Sequence, residues 1–294
     1  MSPRIAFVTS RELPHPDVDE RLLLPLVPGG ALVAWEDDAV DWASYDAVVL
    51  RSTWNYTDHL DDFLAWAERV HSVTRLVNPL SVIRWNTDKR YLAELERAGF
   101  AVVPTVYVAR GQAAPEGALA GHIVVKPTVG AGSKGATLIR DDADAALRHV
   151  AALHAAGKVA MVQPYLDKVD TLGETALVYV GGEFSHAARK APILSRALEW
   201  STGLYADEEI VSATATAAER SLADAIVAAL PGLVEGGGDV AYARVDLLPT
   251  ASGPVVLELE LTEPSLFLSV DDAAPSRAAA AFVAHVAGGG FTGR

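Results

Sequence analysis

Short apolar runs alternate with amphipathic stretches at the start of the chain. Arg4–Thr9 and Tyr45–Leu50 are compact apolar runs of the kind that fill buried parallel strands. The second leads straight into Arg51-Ser52-Thr53-Trp54-Asn55-Tyr56, after which Leu60, Phe63, Leu64, Ala67 and Val70 keep helical spacing. This alternation predicts a doubly wound α/β unit over residues 1–78. Asn78-Pro79 breaks the pattern. Thr87 is then placed to cap a helix whose apolar face is Tyr91, Leu92, Leu95 and Ala98 and which Gly99 stops. Phe100–Val108 reads as one strand, or two halves around Pro104.

From Ile123 the order is strand, glycine loop over Thr128–Gly135, and strand. Asp141 is placed to cap a helix carrying Leu147, Val150 and Ala151. Val159–Gln163 and Ala176–Val180 read as strands, and Gly181-Gly182 turns the second into Glu183–Lys190. A helix with Leu222, Ala225, Ile226 and Ala229 is expected to end at Pro231. Ala241–Leu248 and Val255–Leu261 form a further hairpin pattern, and an alanine-rich helix covers about Ser276–Ala287. The chain thus begins as α/β and ends as α+β. Three units are expected: 1–78, 79–166 and 167–294.

Composition narrows the function. The 294 residues carry 24 Lys plus Arg against 38 Asp plus Glu, a net charge of −14. Such a chain is a poor nonspecific binder of nucleic acid or of an anionic membrane. It has no cysteine, which removes disulfides, thiol nucleophiles and cysteine–metal sites. The opening MSPRIAFVTSREL lacks the core of a signal peptide, and no apolar run is long enough to span a bilayer. A cytoplasmic location is expected. A homo-oligomer is compatible with the sequence but not specified by it.

Two constellations carry chemistry. Gly130-Ala131-Gly132-Ser133-Lys134-Gly135 satisfies G-x-G-x-x-G, but a strand pattern follows it instead of a helix, which excludes a dinucleotide-binding fold there. A glycine loop between two strands can fold over phosphates and offer them backbone N–H groups. A bare hairpin tip is the plain alternative. Lys126 stands within the apolar strand Ile-Val-Val-Lys-Pro, where an unpaired ammonium is costly to bury. Second, period-two geometry puts Arg244 and Asp246 on one strand face, and Glu258 and Glu260 on one face of the next. Pairing of these strands brings three carboxylates together, and a divalent cation such as Mg²⁺ with phosphate oxygens would relieve their repulsion. A polar outer sheet face is the alternative.

Lys126, the glycine loop and Asp246…Glu258-x-Glu260, in this order, resemble the ATP-grasp ligases, with the closest pattern in the glutathione synthetase and α-L-glutamate ligase group. The resemblance covers nearly the whole chain. It implies an ATP-grasp fold behind a Rossmann-like pre-ATP-grasp domain, with ATP and Mg²⁺ as cofactors. Lys89 and Lys126 correspond to the two ATP-binding lysines. Val159–Leu166 resembles the adenine hinge, with Gln163, Tyr165 and Leu166 around the base, and Glu174 falls near the ribose position. Gly130, Gly132, Ser133, Lys134 and Gly135 belong to the phosphate loop, and Asp246, Glu258 and Glu260 to the metal site. Glu260 stands where the family usually has asparagine. Arg189 and Lys190 lie on a strand the family uses for phosphate contacts, with side chains on opposite faces. One of them, together with Arg244, is the candidate for neutralising phosphoryl charge.

The substrate candidates follow a parallel strand: Arg51 for a carboxylate, Ser52, Thr53 and Asn55 for hydrogen bonds, Trp54 and Tyr56 as walls. Arg196, Trp200 and the run Glu263-Pro264-Ser265 are further candidates. The segments RIAFVTSREL and RSTWNY make the chain similar to the ATP-grasp O-ureido-D-serine cyclo-ligases of D-cycloserine biosynthesis. That resemblance implies activation of an amino-acid carboxylate as acyl phosphate and ring closure by a nitrogen. The alternatives are an intermolecular amide- or peptide-forming ligase, a nucleotide-binding regulator and a phosphotransferase.

Overall fold

The structure is a computed structural model and describes residues 2–13, 15–191 and 209–288. Arg196 and Trp200 lie outside the described residues. Three sheets organise the chain.

The first is parallel, in the order β2 (Gly30–Ala34), β1 (Ile5–Thr9), β3 (Ala47–Ser52), β4 (Arg75–Val77). α1 (Val18–Leu23) leads from β1 to β2 and α2 (Leu60–Val73) from β3 to β4. The strand order reverses between β1 and β3, so their carboxyl ends open a crevice. β2 and β4 were not legible as runs: all five residues of β2 are only half-buried, and β4 has three residues.

Six elements follow: α3 (Leu80–Asn86), α4 (Tyr91–Arg97), β5 (Val106–Val108), β6 (His122–Pro127), β7 (Thr137–Arg140) and α5 (Ala143–Ala155). With β8 (Ala160–Pro164) these strands form the second sheet, antiparallel, in the order β5, β8, β6, β7. α5 covers one face through Ala146, Val150 and Leu153. Leu147 lies one residue, about 100°, off that stripe and is 52% exposed, so it is not a core position. The cap is Asp142, whose carboxylate accepts from the Ala145 N–H, rather than Asp141.

The third sheet is antiparallel. α6 (Val169–Leu172) precedes β9 (Glu174–Val180), β10 (Glu183–Lys190), β11 (Ile210–Ala213), α7 (Ala217–Leu233), β12 (Tyr242–Thr250), β13 (Gly253–Glu260) and α8 (Ala274–Gly288). The sheet order is β11, β10, β9, β12, β13. One face packs on α3, α4 and α7 through Val82, Leu92, Leu95, Ile226 and Leu230. Towards the first sheet, Val178, Val180 and Tyr242 share a core with Phe282 of α8 and with Ile5 and Phe7 of β1. Two sequence expectations change here. Thr87 ends α3 instead of starting α4, and Ala98 is the exposed C-terminal cap of α4. Pro231 sits inside α7, which runs on to Leu233 and buries Ala223, Ile226 and Leu230. The chain then folds back closely enough that a Cβ on Gly237 would lie 2.1 Å from the Leu230 carbonyl oxygen, so glycine is required there.

β13 is an edge strand and would leave its outer backbone groups unpaired. Residues 101–103 add backbone bonds at Val256, and the Leu259 N–H donates to the Tyr91 hydroxyl. The Asn86 amide donates to Leu259 O and accepts from Leu261 N, both at 2.7 Å, imitating a paired strand. Asn78 does the same further along, bonding Tyr242 O, Leu261 O and Ala241 N. Asn86→Ala would leave a buried C=O and N–H without partners, at a cost of about 1–3 kcal/mol for each such group. A lower urea midpoint with an unchanged m-value is the expected outcome.

Candidate active site

A cavity of about 580 Å³ opens where the three sheets meet. Trp54 and Tyr56 reach it from the end of β3, Lys126 and Gly130–Lys134 from the second sheet, and Lys190, Arg244, Glu258 and Glu260 from the third. The glycine loop and its sheet are tethered from two sides. Asp58, just beyond Tyr56, accepts from Lys134 at 2.6 Å and Lys158 at 2.8 Å, and Lys89 donates to Gly130 O at 2.5 Å.

The β12–β13 register sets the charges. Arg244 faces Glu260 and Asp246 faces Glu258 across the pair, as strand alternation predicts. Arg244 binds Asp246 by a two-point contact, 2.8 Å each, and reaches Glu260 at 2.5 Å. Its guanidinium stacks 4.7 Å from the Phe267 ring. Lys190 bridges Asp246, at 3.1 Å, and Glu174. Lys126 donates to Glu258 at 2.8 Å, with Lys89 4.0 Å from its other oxygen.

These pairings shape the titration of the acids. Burial pushes Asp246 up, but Arg244 and then Lys190 outweigh it and hold its carboxyl well below the usual range. Burial likewise opposes Lys126 and Lys89 at Glu258, and the lysines win, leaving it at about 2. Glu260 moves the other way. Burial, then the charges of Asp246 and Glu258, raise it against the pull of Arg244. Glu263 rises to about 8 through burial and then the charge of Glu260.

The cavity wall brings together Lys89, Lys126, Gly130, Gly132, Ser133, Lys134, Gln163, Tyr165, Leu166, Glu174, Lys190, Arg244, Glu258, Glu260, Trp54, Tyr56 and Ser265. The Gln163 amide turns away to Thr105 Oγ1, at 2.9 Å, so this residue offers the cavity its backbone. Gly135 supports the loop from behind, against Pro127, and Asp246 lies buried beneath Arg244. Arg189 points to the other face of β10 and donates to Leu172 O.

Four candidates from the first domain are withdrawn into its core. Arg51 pairs with Asp19 and donates to Pro264 O, Ser52 bonds Thr9 Oγ1, Thr53 is fully buried, and Asn55 is held by Trp35, Glu12 and Glu36. They are buried because β3 runs on through Ser52 and the following turn packs inward. Sequence reasoning passed over Asp19, Asn86, Tyr91 and Phe267, all of which line the cavity. Nothing local marked them, because each is brought in by packing between elements distant in sequence.

Among the described residues no three carboxylate or imidazole groups are arranged to hold a metal ion as they stand. The donor chemistry nevertheless fits a hard divalent cation. Carboxylate oxygens from two neighbouring strands repel one another, and Glu258 and Glu260 open towards the space beside the glycine loop.

Glu263 generates a pH prediction. With its folded-state carboxyl raised from 4.5 to about 8, the folded protein keeps a proton that the unfolded chain has released. Stability therefore falls as pH rises through that window. The ligand-free protein should melt at a lower temperature at about pH 9 than at about pH 6, and Glu263→Gln should flatten the difference. Thermal melts across pH provide the check.

Known proteins share these features. The sequence profile for the N-terminal domain of the D-cycloserine synthetase DcsG matches residues 5–78. The cycloserine biosynthesis protein DcsG of Streptomyces lavendulae is 40% identical over 258 residues, spanning 81% of this chain and 82% of that protein. The crystal structure of D-cycloserine synthetase DcsG superposes with a TM-score of 0.80 at 34% identity, covering 96% of this chain and 99% of that one. A D-alanine–D-alanine ligase from Bacillus anthracis complexed with ATP matches at TM-score 0.64 and 14% identity, over 97% and 98% of the two chains. An ATP-grasp RimK domain protein from Sphaerobacter thermophilus matches at 0.65 and 19%, over 96% and 99%. The last two share the fold alone. On this evidence the chain has the ATP-grasp fold and belongs to the D-cycloserine synthetase DcsG family.

Proposed function

We propose that this chain is an ATP-dependent carbon–nitrogen ligase that closes O-ureido-D-serine to D-cycloserine. The observation that carries the reading is the cavity itself, where Lys126, a glycine loop and paired carboxylates converge in a chain 40% identical to a cycloserine biosynthesis protein. ATP lies along the cavity in this reading. Backbone groups of Gln163–Leu166 hold adenine, Glu174 meets the ribose, and Lys89, Lys126 and the loop from Gly130 to Gly135 hold the phosphates. Asp246, Glu258 and Glu260 would hold Mg²⁺, which would neutralise charge at the phosphates.

A carboxylate is a poor electrophile, so the γ-phosphoryl group is first transferred to it. Lys190 and Arg244 are positioned to spread the developing charge. The oxygen-bound nitrogen then attacks the acyl carbon, the C–O bond to phosphate breaks, and phosphate leaves. Water cleaves the bond between that nitrogen and its carbamoyl group, which leaves as carbon dioxide and ammonia while the ring nitrogen takes up the proton. Ring closure is intramolecular, which raises the effective concentration of the nucleophile. Trp54 and Tyr56 exclude water from the acyl phosphate. The units 1–78, 79–166 and 167–294 would supply the substrate wall, the lid and the carboxylates.

Three outcomes are expected. Lys126→Met should lose roughly 1.5–3 kcal/mol of phosphate binding, shrinking the thermal shift that a fixed concentration of Mg²⁺–ATP induces. Trp54→Ala should release more ADP for each product formed, because water then reaches the intermediate. O-ureido-D-serine alone should give ADP and D-cycloserine by mass spectrometry. Release of ADP only with a pair of amino acids would replace this reading with an amide-forming ligase.

A further inference from the structure

Two carboxylates on the cavity wall have no lysine or arginine partner among the described residues: Asp17, half-buried and capping α1 through the Asp19 N–H, and Glu263. Glu258 has Lys126 and Lys89, Glu260 has Arg244, Asp19 has Arg51, and Glu174 has Lys190. Glu263 also faces the cavity and is only 9% exposed, yet among the described residues no lysine or arginine nitrogen pairs with it. Tyr56 lines the same cavity. A buried carboxylate without a cation is unfavourable, and it either keeps its proton or takes a positive group from a ligand.

The backbone around Glu263 is held in place by three side chains. The Trp54 indole N–H donates to Glu263 O at 3.1 Å, Arg51 to Pro264 O at 2.5 Å, and Arg244 to Ser265 O at 2.8 Å. These come from the first and third sheets, so Glu263 sits at the seam between the aromatic wall and the charged rows. Glu263 thereby lines the space a small substrate would fill.

We infer that Glu263 is the specificity group for the substrate's α-ammonium, forming with it the ion pair that the cations of the described residues leave unmade. This rests on the reading that the substrate is a small amino acid. Tyr56 and Trp54 close the same corner. An amino acid is then recognised at both ends, its ammonium at Glu263 and its carboxylate towards Lys190 and Arg244. An α-hydroxy acid of the same shape offers no cation and leaves Glu263 unpaired.

The test is calorimetric titration of the full chain, with Mg²⁺ and a nonhydrolysable ATP analogue present, using D-serine and D-glycerate as probes. They share a carbon skeleton and differ by ammonium against hydroxyl. The wild type should bind D-serine at least about tenfold more tightly, the scale of one charge-assisted contact. Glu263→Gln should remove that preference by weakening D-serine alone, with affinity for the nucleotide analogue unchanged. Tyr56→Phe keeps the carboxylate and should keep the preference. Absence of the preference in the wild type, its survival in Glu263→Gln, or its loss in Tyr56→Phe alone would overturn the inference. Failure of O-ureido-D-serine to turn over, with the preference intact, would count against the proposed reaction and not against Glu263.

Discussion

Keeping three carboxylates together on adjacent strands is the constraint on which the rest of this structure depends. Asp246, Glu258 and Glu260 are set side by side by the β12–β13 register, and their repulsion at low solvent exposure is countered only by neighbouring cations. Those cations come from different places: Arg244 from the same hairpin, Lys190 from β10, Lys126 from the second sheet and Lys89 from the turn after α3. The network therefore joins the lid sheet to the third sheet through charge as well as packing. A phosphate chain entering the cavity would compete for the same lysines, and a divalent cation would take up the carboxylates they release.

The second dependence is the edge of β13. Among the described residues only the short bridge at Val256 pairs with its outer edge. The chain meets the backbone requirement with side chains, using the Asn86 amide and the Tyr91 hydroxyl where a further strand would stand. Both residues also line the cavity, so support for the strand and shape of the site come from the same atoms. On the opposite side, Asp58 joins the segment bearing Trp54 and Tyr56 to the lid through Lys134 and Lys158. The aromatic wall and the glycine loop are held as neighbours by that double ion pair.

Much of the site was legible because its chemistry is local. Lys126 in an apolar strand, the glycine loop, and acids spaced two apart on successive strands are strong statements about where charge must be balanced, whatever surrounds them. Glu174 and Lys190 entered through resemblance, and the structure brings them together. The segment from Arg51 to Tyr56 shows the limit. Its polar residues looked like a substrate loop, yet β3 continues through Ser52 and turns Asn55 towards Trp35 and Glu36, leaving the aromatic residues to face the cavity. Helix faces were misjudged for a similar reason. Leu147 is more hydrophobic than Ala146, but the sheet below α5 meets Ala146.

The sequence by itself determined the alternation of strands and helices, the switch from parallel to antiparallel character, and the family pattern of lysines, glycines and acids. These follow from periodicity and local chemistry, which need only nearby residues. The tertiary structure alone decided which acid keeps a cation and which does not, which face of each helix is buried, and which residues of a promising loop reach the cavity. Those outcomes depend on distances between elements more than two hundred residues apart, as when Arg51 reaches Pro264 or Trp54 reaches Glu263. Electrostatic energy and burial are properties of such separations in space, so they exist only once the three sheets have been brought together.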